Sequence, residues 1–269
     1  MIEFISKAEK FEGRRIKAAV FDFDGTISTL RSGWEKIMSP LFYRMINGNH
    51  AEDAALKKEV DAYIDESTGI QTIFQMRWLV QKVGEYGRNS QVLSDWDYKD
   101  MYNQELLESV NKKIAGIKSG ALSADNYIID GSRKFLAELK KRGLKLFVAS
   151  GTDDADVKNE CKILGFAEYF DKIIGAPPKK ADCSKEAILN ELINGGIYKP
   201  DELVVFGDGK VEIQLASQAG AIAIGTATDE NLRHGVNSVK RAKLIRAGAD
   251  IIVGDFGNCA EILSSIKTF

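Results

Sequence analysis

The sequence predicts an α/β protein: a parallel sheet covered by helices on both faces, interrupted after its first strand by a helical insertion. Three observations carry that prediction. From about Asn126 onward, short apolar runs alternate with amphipathic stretches. One apolar run, Ala18 to Phe21, stands alone near the start. Between the two lies a long segment with apolar residues at three- and four-residue spacing and no alternating β-branched run. Strands separated by helices of this length pair in parallel, because only a crossover helix returns the chain to the same sheet end.

The first strand, AAVF, runs into Asp22, Phe23 and Asp24, with Gly25 and Thr26 behind. Two carboxylates at the end of a core strand need a cation, hydrogen-bond donors or an exposed strand end, because unpaired buried charge is costly. Alone this strand cannot make a domain, so it must join the later ones. The expected division is therefore a core of residues 1–29 and 124–269, with residues 30–123 inserted as a helical unit holding its own small core. WEKIMSPLFYRMI, AEDAALKKEVDAYIDEST, IQTIFQMRWLVQKVGEYG and DWDYKDMYNQELLESVNKKIAGIK read as its helices. Gly48, Ser67-Thr68-Gly69, and Gly84 with Gly87 mark the breaks.

In the third part LKLFVAS, DKIIGA, ELVVFGDG, AIAIGTA and ADIIVGD are the strands. The stretches between them read as helices, several ending in glycine at Gly143, Gly165, Gly195, Gly220 and Gly248, as a left-handed cap requires. In an open parallel sheet the ligand crevice lies at the carboxyl ends of the strands. Asp22, Asp24, Ser150 and Asp208 all fall at such ends, so distant segments should meet over one sheet edge.

Composition narrows the function classes. A net charge of -2, 44% hydrophobic and 28% charged residues describe an ordinary soluble protein with no footprint for nucleic acid or an anionic membrane. No segment approaches the roughly 18 apolar residues a membrane span needs, and the N-terminal stretch, with acids at Glu3, Glu9 and Glu12 and no continuous apolar core, does not read as a secretory signal. Cys161, Cys183 and Cys259 are odd in number and widely spaced, which suits reduced thiols in the cytoplasm.

FDFDGT, then VASGT, a lysine at a helix start and FGDGKVE resemble the haloacid dehalogenase superfamily. The likeness is to its capped phosphatases, of the phosphoglycolate phosphatase and β-phosphoglucomutase-like type, whose helical cap lies between the first two motifs. It implies a three-layer Rossmann-like core and phosphoryl transfer from a small phosphorylated metabolite such as a sugar phosphate. Asp22 would be the nucleophile that forms an aspartyl-phosphate, a role open to carboxylates. Asp24, two residues on and on the same side of an extended chain, would protonate the leaving oxygen and later deprotonate water. Ser150, Gly151, Thr26 and a lysine would hold the phosphoryl group; Thr152 is an alternative to Ser150. Lys179, Lys180 and Lys185 compete for the lysine. Lys185 is preferred because its helix, KEAILNEL, pins it, whereas the PPKK loop does not. The implied cofactor is Mg2+, held by hard oxygens from Asp22, Asp24, Asp208 and Glu212 together with a backbone carbonyl. Many relatives carry aspartate where this chain has Glu212.

Substrate choice in capped relatives comes from the cap and the first exit loop. Arg31 and Lys36 are candidates to meet an anionic leaving group, and Trp34 to stack on it. Gln71, Thr72 and Gln75, with Thr68 and Gly69, are candidates to bind a sugar-like substrate. The plainer reading makes Ser67 or Thr68 a helix N-cap and puts Ile73, Phe74 and Trp78 in the insertion's core. GDGKVE fails the dinucleotide fingerprint and no Walker loop occurs. His50 and His234 offer no zinc motif and read as loop residues. Two alternatives share the pattern: a phosphomutase that returns the phosphoryl group to a sugar, and a non-catalytic phospho-acceptor signalling through a partner. The Asp-x-Asp spacing and the insertion weigh against the second.

Overall fold

The computed structural model describes residues 2–181 and 184–266, so Cys183 lies outside the described residues. Its strands are β1 (Ile2–Phe4), β2 (Ala18–Phe21), β3 (Lys145–Asp153), β4 (Lys172–Ala176), β5 (Leu203–Gly207), β6 (Ile222–Thr226) and β7 (Ile251–Val253). They form one sheet in the order β1-β7-β6-β5-β2-β3-β4. Every neighbouring pair is parallel except β1 on β7. That antiparallel edge strand escapes a reading by pattern, since three residues carry no periodicity. The strands expected after Asn126 all form.

β2 is central. All four of its residues are buried, and it pairs with β3 and β5 on either side. Its alternation sorts the two faces. Ala19 and Phe21 face one apolar cluster and Ala18 and Val20 the other. Phe21 stacks on Phe206 at 4.5 Å between centroids and meets Phe135 edge-on. Burying a side chain of that size contributes about 1.5–3 kcal/mol.

The helices α5 (Ser132–Lys141), α6 (Asp154–Ile163) and α10 (Cys259–Ser265) cover the Phe21 face through residues such as Phe135, Val157 and Ile262. On the Val20 face lie α7 (Ser184–Ile193), α8 (Lys210–Ala219) and α9 (Ser238–Arg246), through Ile188, Ile213 and Leu244. Gly143, Gly165, Gly220 and Gly248 adopt positive φ after their helices. Gly195 does not; the left-handed turn after α7 falls on Gly196 at φ 71°.

Between β2 and β3 the chain makes α1 (Glu35–Asn47), α2 (Ala54–Glu66), α3 (Thr72–Tyr86) and α4 (Asp95–Lys118). Gly84 is absorbed inside α3 and Gly87 ends it. The N-cap of α3 is Gln71; Ser67 and Thr68 instead close the C-terminal end of α2, against the expectation that one of them starts the helix. Their hydroxyls donate to Ile64 and Asp65 carbonyls behind them. Ile73 is fully buried, whereas Trp78 is half-buried and stacks on Tyr63 at 3.9 Å. The insertion does not keep a core of its own. Met38, Phe42, Leu79 and Val110 belong to one continuous apolar cluster with Phe21 and Phe135 of the sheet layer.

Candidate active site

Asp22 begins where β2 stops. Its N–H donates to the Phe206 carbonyl at 2.9 Å, which extends the β2–β5 pairing by one residue and fixes the carboxylate at the sheet's carboxyl edge. The side chain is 6% exposed. Lys185, 5% exposed on the first turn of α7, places its Nζ 3.2 Å from Asp22 Oδ2 and 2.7 Å from Glu212 Oε2. The other Glu212 oxygen accepts the Gly209 N–H at 2.6 Å and closes the N-terminal turn of α8. Lys179 and Lys180 are exposed.

Burial drives the Asp22 carboxyl well above the ordinary carboxylate range, Lys185 pulls it down, and the nearby Glu212, Asp208 and Asp24 push it up again. Burial works against the Lys185 ammonium, yet Asp22 and Glu212 outweigh it and hold the lysine above its usual value. Among the described residues, Asp22, Asp208 and Glu212 form a cluster whose ligand atoms lie within 4.8 Å of one another. Asp24 is not in that group. Its Oδ2 accepts a hydrogen bond from Thr152 Oγ1 at 2.8 Å, and its buried Oδ1 has no partner. Burial raises the Asp24 carboxyl, against Arg31 and the Thr152 hydroxyl.

Two residues join this cluster without having been singled out by the sequence. Lys240 of α9 bridges Asp208 Oδ2 at 2.6 Å and Glu230 Oε1 at 2.5 Å. Glycine makes the closeness feasible. A Cβ on Gly25, which has φ 74°, would stand 2.1 Å from Asp208 Oδ2. Gly25→Ala is therefore expected to displace Asp208 and to cost roughly 1–2 kcal/mol from the left-handed backbone alone. A thermal melt and the steady-state rate check it, and an unchanged pair of values contradicts it.

A cavity opens over this edge, walled below by Asp22, Asp24, Ser150, Gly151 and Lys185, and above by residues of α3 and α4. Thr26 is not among the lining residues. Its hydroxyl is buried without a hydrogen-bond partner. The Ser150 hydroxyl accepts the Thr152 N–H at 3.0 Å. Arg31 and Trp34 line the cavity but Lys36 is exposed outside it. The Arg31 guanidinium, a candidate to meet an anionic leaving group, is engaged with Glu160 at 2.6 Å and Asp156 at 3.0 Å. Burial pushes the Glu160 carboxyl up to about 7 against the pull of Arg31. Thr68, Gly69, Thr72 and Gln75 face the cavity, whereas Gln71 lines a neighbouring one beside Gly151. Above, Lys99 and Asn103 of α4 both reach Asp153 at the end of β3, the second at 3.1 Å.

The family model for haloacid dehalogenase-like hydrolases matches residues 16–220, which take in Asp22, Ser150, Lys185 and Asp208. The chain belongs to that family. Solved structures of haloacid dehalogenase type share its fold along nearly the whole chain. A predicted phosphoglycolate phosphatase from Haemophilus somnus has a TM-score of 0.62 at 15% identity, covering 92% of this chain and 97% of its own. A beta-phosphoglucomutase from Clostridium difficile gives 0.61 at 18%, covering 94% and 97%. A predicted phosphatase from Clostridium acetobutylicum gives 0.59 at 18%, covering 93% and 99%. No curated protein matches the sequence. Lys240 and Glu230 lie beyond the residues the haloacid dehalogenase-like model covers. No helix among the described residues is long and apolar enough to cross a membrane.

Proposed function

We propose that the chain is a Mg2+-dependent phosphatase that hydrolyses a small soluble phosphomonoester through an aspartyl-phosphate on Asp22. The helices α1–α4 act as the cap over a core of residues 1–29 and 124–269. One observation carries the reading: a buried carboxylate and a buried ammonium 3.2 Å apart open together onto one cavity at the carboxyl end of the central strand. Phosphoryl transfer asks mainly for positioning and for charge opposite the phosphoryl oxygens.

In this reading an Asp22 carboxylate oxygen attacks phosphorus while Asp24 gives its proton to the departing alkoxide. Burial, which raises the Asp24 carboxyl, favours the protonated acid that this step needs. Water then attacks the aspartyl-phosphate, Asp24 takes its proton, and phosphate leaves Asp22 as a carboxylate again. Ser150 and the Gly151 backbone hold phosphoryl oxygens, and Lys185 balances their charge. The donor set fits Mg2+, since Asp22, Asp208 and Glu212 offer only hard oxygens. Bound there, the ion would supply the positive charge that keeps a buried Asp22 ionised and screens the phosphoryl oxygens. The longer Glu212 side chain spends its two oxygens on Gly209 and Lys185, so Asp22 and Asp208 are the better direct ligands. The buried, unbridged Cys161 and Cys259 suit a cytoplasmic setting.

The test is phosphate release from a panel of small phosphomonoesters with Mg2+ or with EDTA. Multiple metal-dependent turnovers per chain are expected. Release from no ester would move the reading to a phosphomutase, as one protein of similar fold is named. Asp24→Asn is expected to form phosphoenzyme from an activated donor yet to slow its breakdown by about 10²–10⁴-fold, the usual worth of a general base. Steady-state turnover at the wild-type rate would remove Asp24 from that role.

A further inference from the structure

We infer that the site selects phosphomonoesters whose alcohol portion carries no second anion, and takes instead a neutral hydroxyl-bearing or an amine-bearing leaving group. This rests on the phosphatase reading and narrows it. Among the described residues, three cations line the cavity, Arg31, Lys99 and Lys185, and each is already matched by carboxylate. Arg31 faces both Glu160 and Asp156. With Glu160 protonated, Asp156 still balances it. Lys99 is held by Asp153, and Lys185 by Asp22 and Glu212. Behind the wall Lys240 lies between Asp208 and Glu230.

No positive charge is left over for a carboxylate or a second phosphate. The surplus has the opposite sign. Even with Asp24 and Glu160 protonated, the six carboxylates of Asp22, Asp153, Asp156, Asp208, Glu212 and Glu230 face the four cations Arg31, Lys99, Lys185 and Lys240, and a divalent ion with a phosphoryl dianion leaves that balance unchanged. A second anion would sit among like charges in a partly enclosed space, where water screens weakly. What the upper wall offers instead is hydrogen bonding without charge, from Ser32, Thr68, Thr72, Gln75 and Asn103. Trp34 and Leu106 add apolar surface beside them. Such a wall binds hydroxyls, and its carboxylates attract an ammonium. It sets this chain apart from a phosphoglycolate phosphatase, whose ester carries a carboxylate beside its phosphate.

The experiment compares kcat/KM in Mg2+ for matched pairs: glycerol phosphate against phosphoglycerate, and ethanolamine phosphate against phosphoglycolate. The uncharged or amine-bearing member of each pair is expected to be faster by about 10-fold or more, the size of a like-charge contact at this range. Equal or faster hydrolysis of the carboxylate-bearing members overturns the selectivity and leaves the phosphatase standing. Release from neither member of either pair, with turnover of some other uncharged ester absent as well, removes the phosphatase reading and the selectivity with it. Asp153→Asn, which strips Lys99 of its countercharge, is expected to shift the ratio several-fold toward the carboxylate-bearing esters. A ratio that stays put in a variant melting like wild type rules out the pairing of Lys99 as its origin.

Discussion

Asp22→Asn is expected to abolish turnover, by about 10⁴-fold or more, with the fold intact. The amide keeps the shape of the side chain but cannot attack phosphorus, and the neighbouring carboxylates among the described residues are engaged elsewhere, Asp208 with Lys240. Asp24 points its Oδ2 to Thr152, while both oxygens of Glu212 are committed to Gly209 and Lys185. The loss should fall on kcat and on the burst of phosphoenzyme alike, as removal of the reacting atom does. Circular dichroism and a thermal melt should change little. The variant removes one of several mutually repelling buried carboxylates, so its apparent melting temperature in EDTA should equal or exceed that of wild type. Retained turnover in this variant would place the chemistry on another residue.

Lys185→Met should be the more damaging variant for stability. It leaves Asp22 and Glu212 buried with their shared cation gone, and breaking a buried pair from one side costs about 3–5 kcal/mol. The pH dependence has a definite sign. Burial already sets the folded-state pKa of Asp22 above its unfolded value, and removal of the ammonium raises it further. Stability linked to such a group is present below the unfolded pKa and is lost as pH rises through the folded one. Measured by urea unfolding in EDTA, the gap between variant and wild type should therefore be small in acid and should widen toward neutral pH. A gap independent of pH would mean that Asp22 and Lys185 are not coupled in the folded chain. Turnover should fall about 10²–10³-fold, as for the loss of one oxyanion donor.

Much of this site was readable before any coordinates because it is tied to backbone pattern. Asp22 and Asp208 follow buried strands, Ser150 lies near the end of one, and Lys185 stands on a helix whose Ile188 and Leu192 face the sheet. Position along a strand or helix determines where such residues must point. Lys240 and Glu230 were not readable for the opposite reason. Lys240 reaches Asp208 through a long side chain from a charged helix, Glu230 meets Lys240 from a loop, and both resemble the solvated charges around them. The neutralised Arg31 is a similar case. Its partners Asp156 and Glu160 sit far along the sequence on α6, and a pattern of residue types does not say which charges meet. Ser67 and Thr68 fit either helix end as residue types, because hydroxyls satisfy carbonyls at a C-terminus as well as N–H groups at an N-terminus.

The placement of β2 also bears on how the chain is made. Its neighbours β3 and β5 begin at Lys145 and Leu203, so the strand emerges from the ribosome long before either partner exists. At about 5–20 residues per second, it waits on the order of ten seconds for the first of them. Meanwhile the helices between Glu35 and Lys118 close on local contacts, which form early and fast. The central strand, which leads into Asp22, thus waits unpaired until both of its neighbours have been made. Nascent chains stalled before Lys145 should expose it and bind a holdase chaperone, and chains extended past Gly207 should release it.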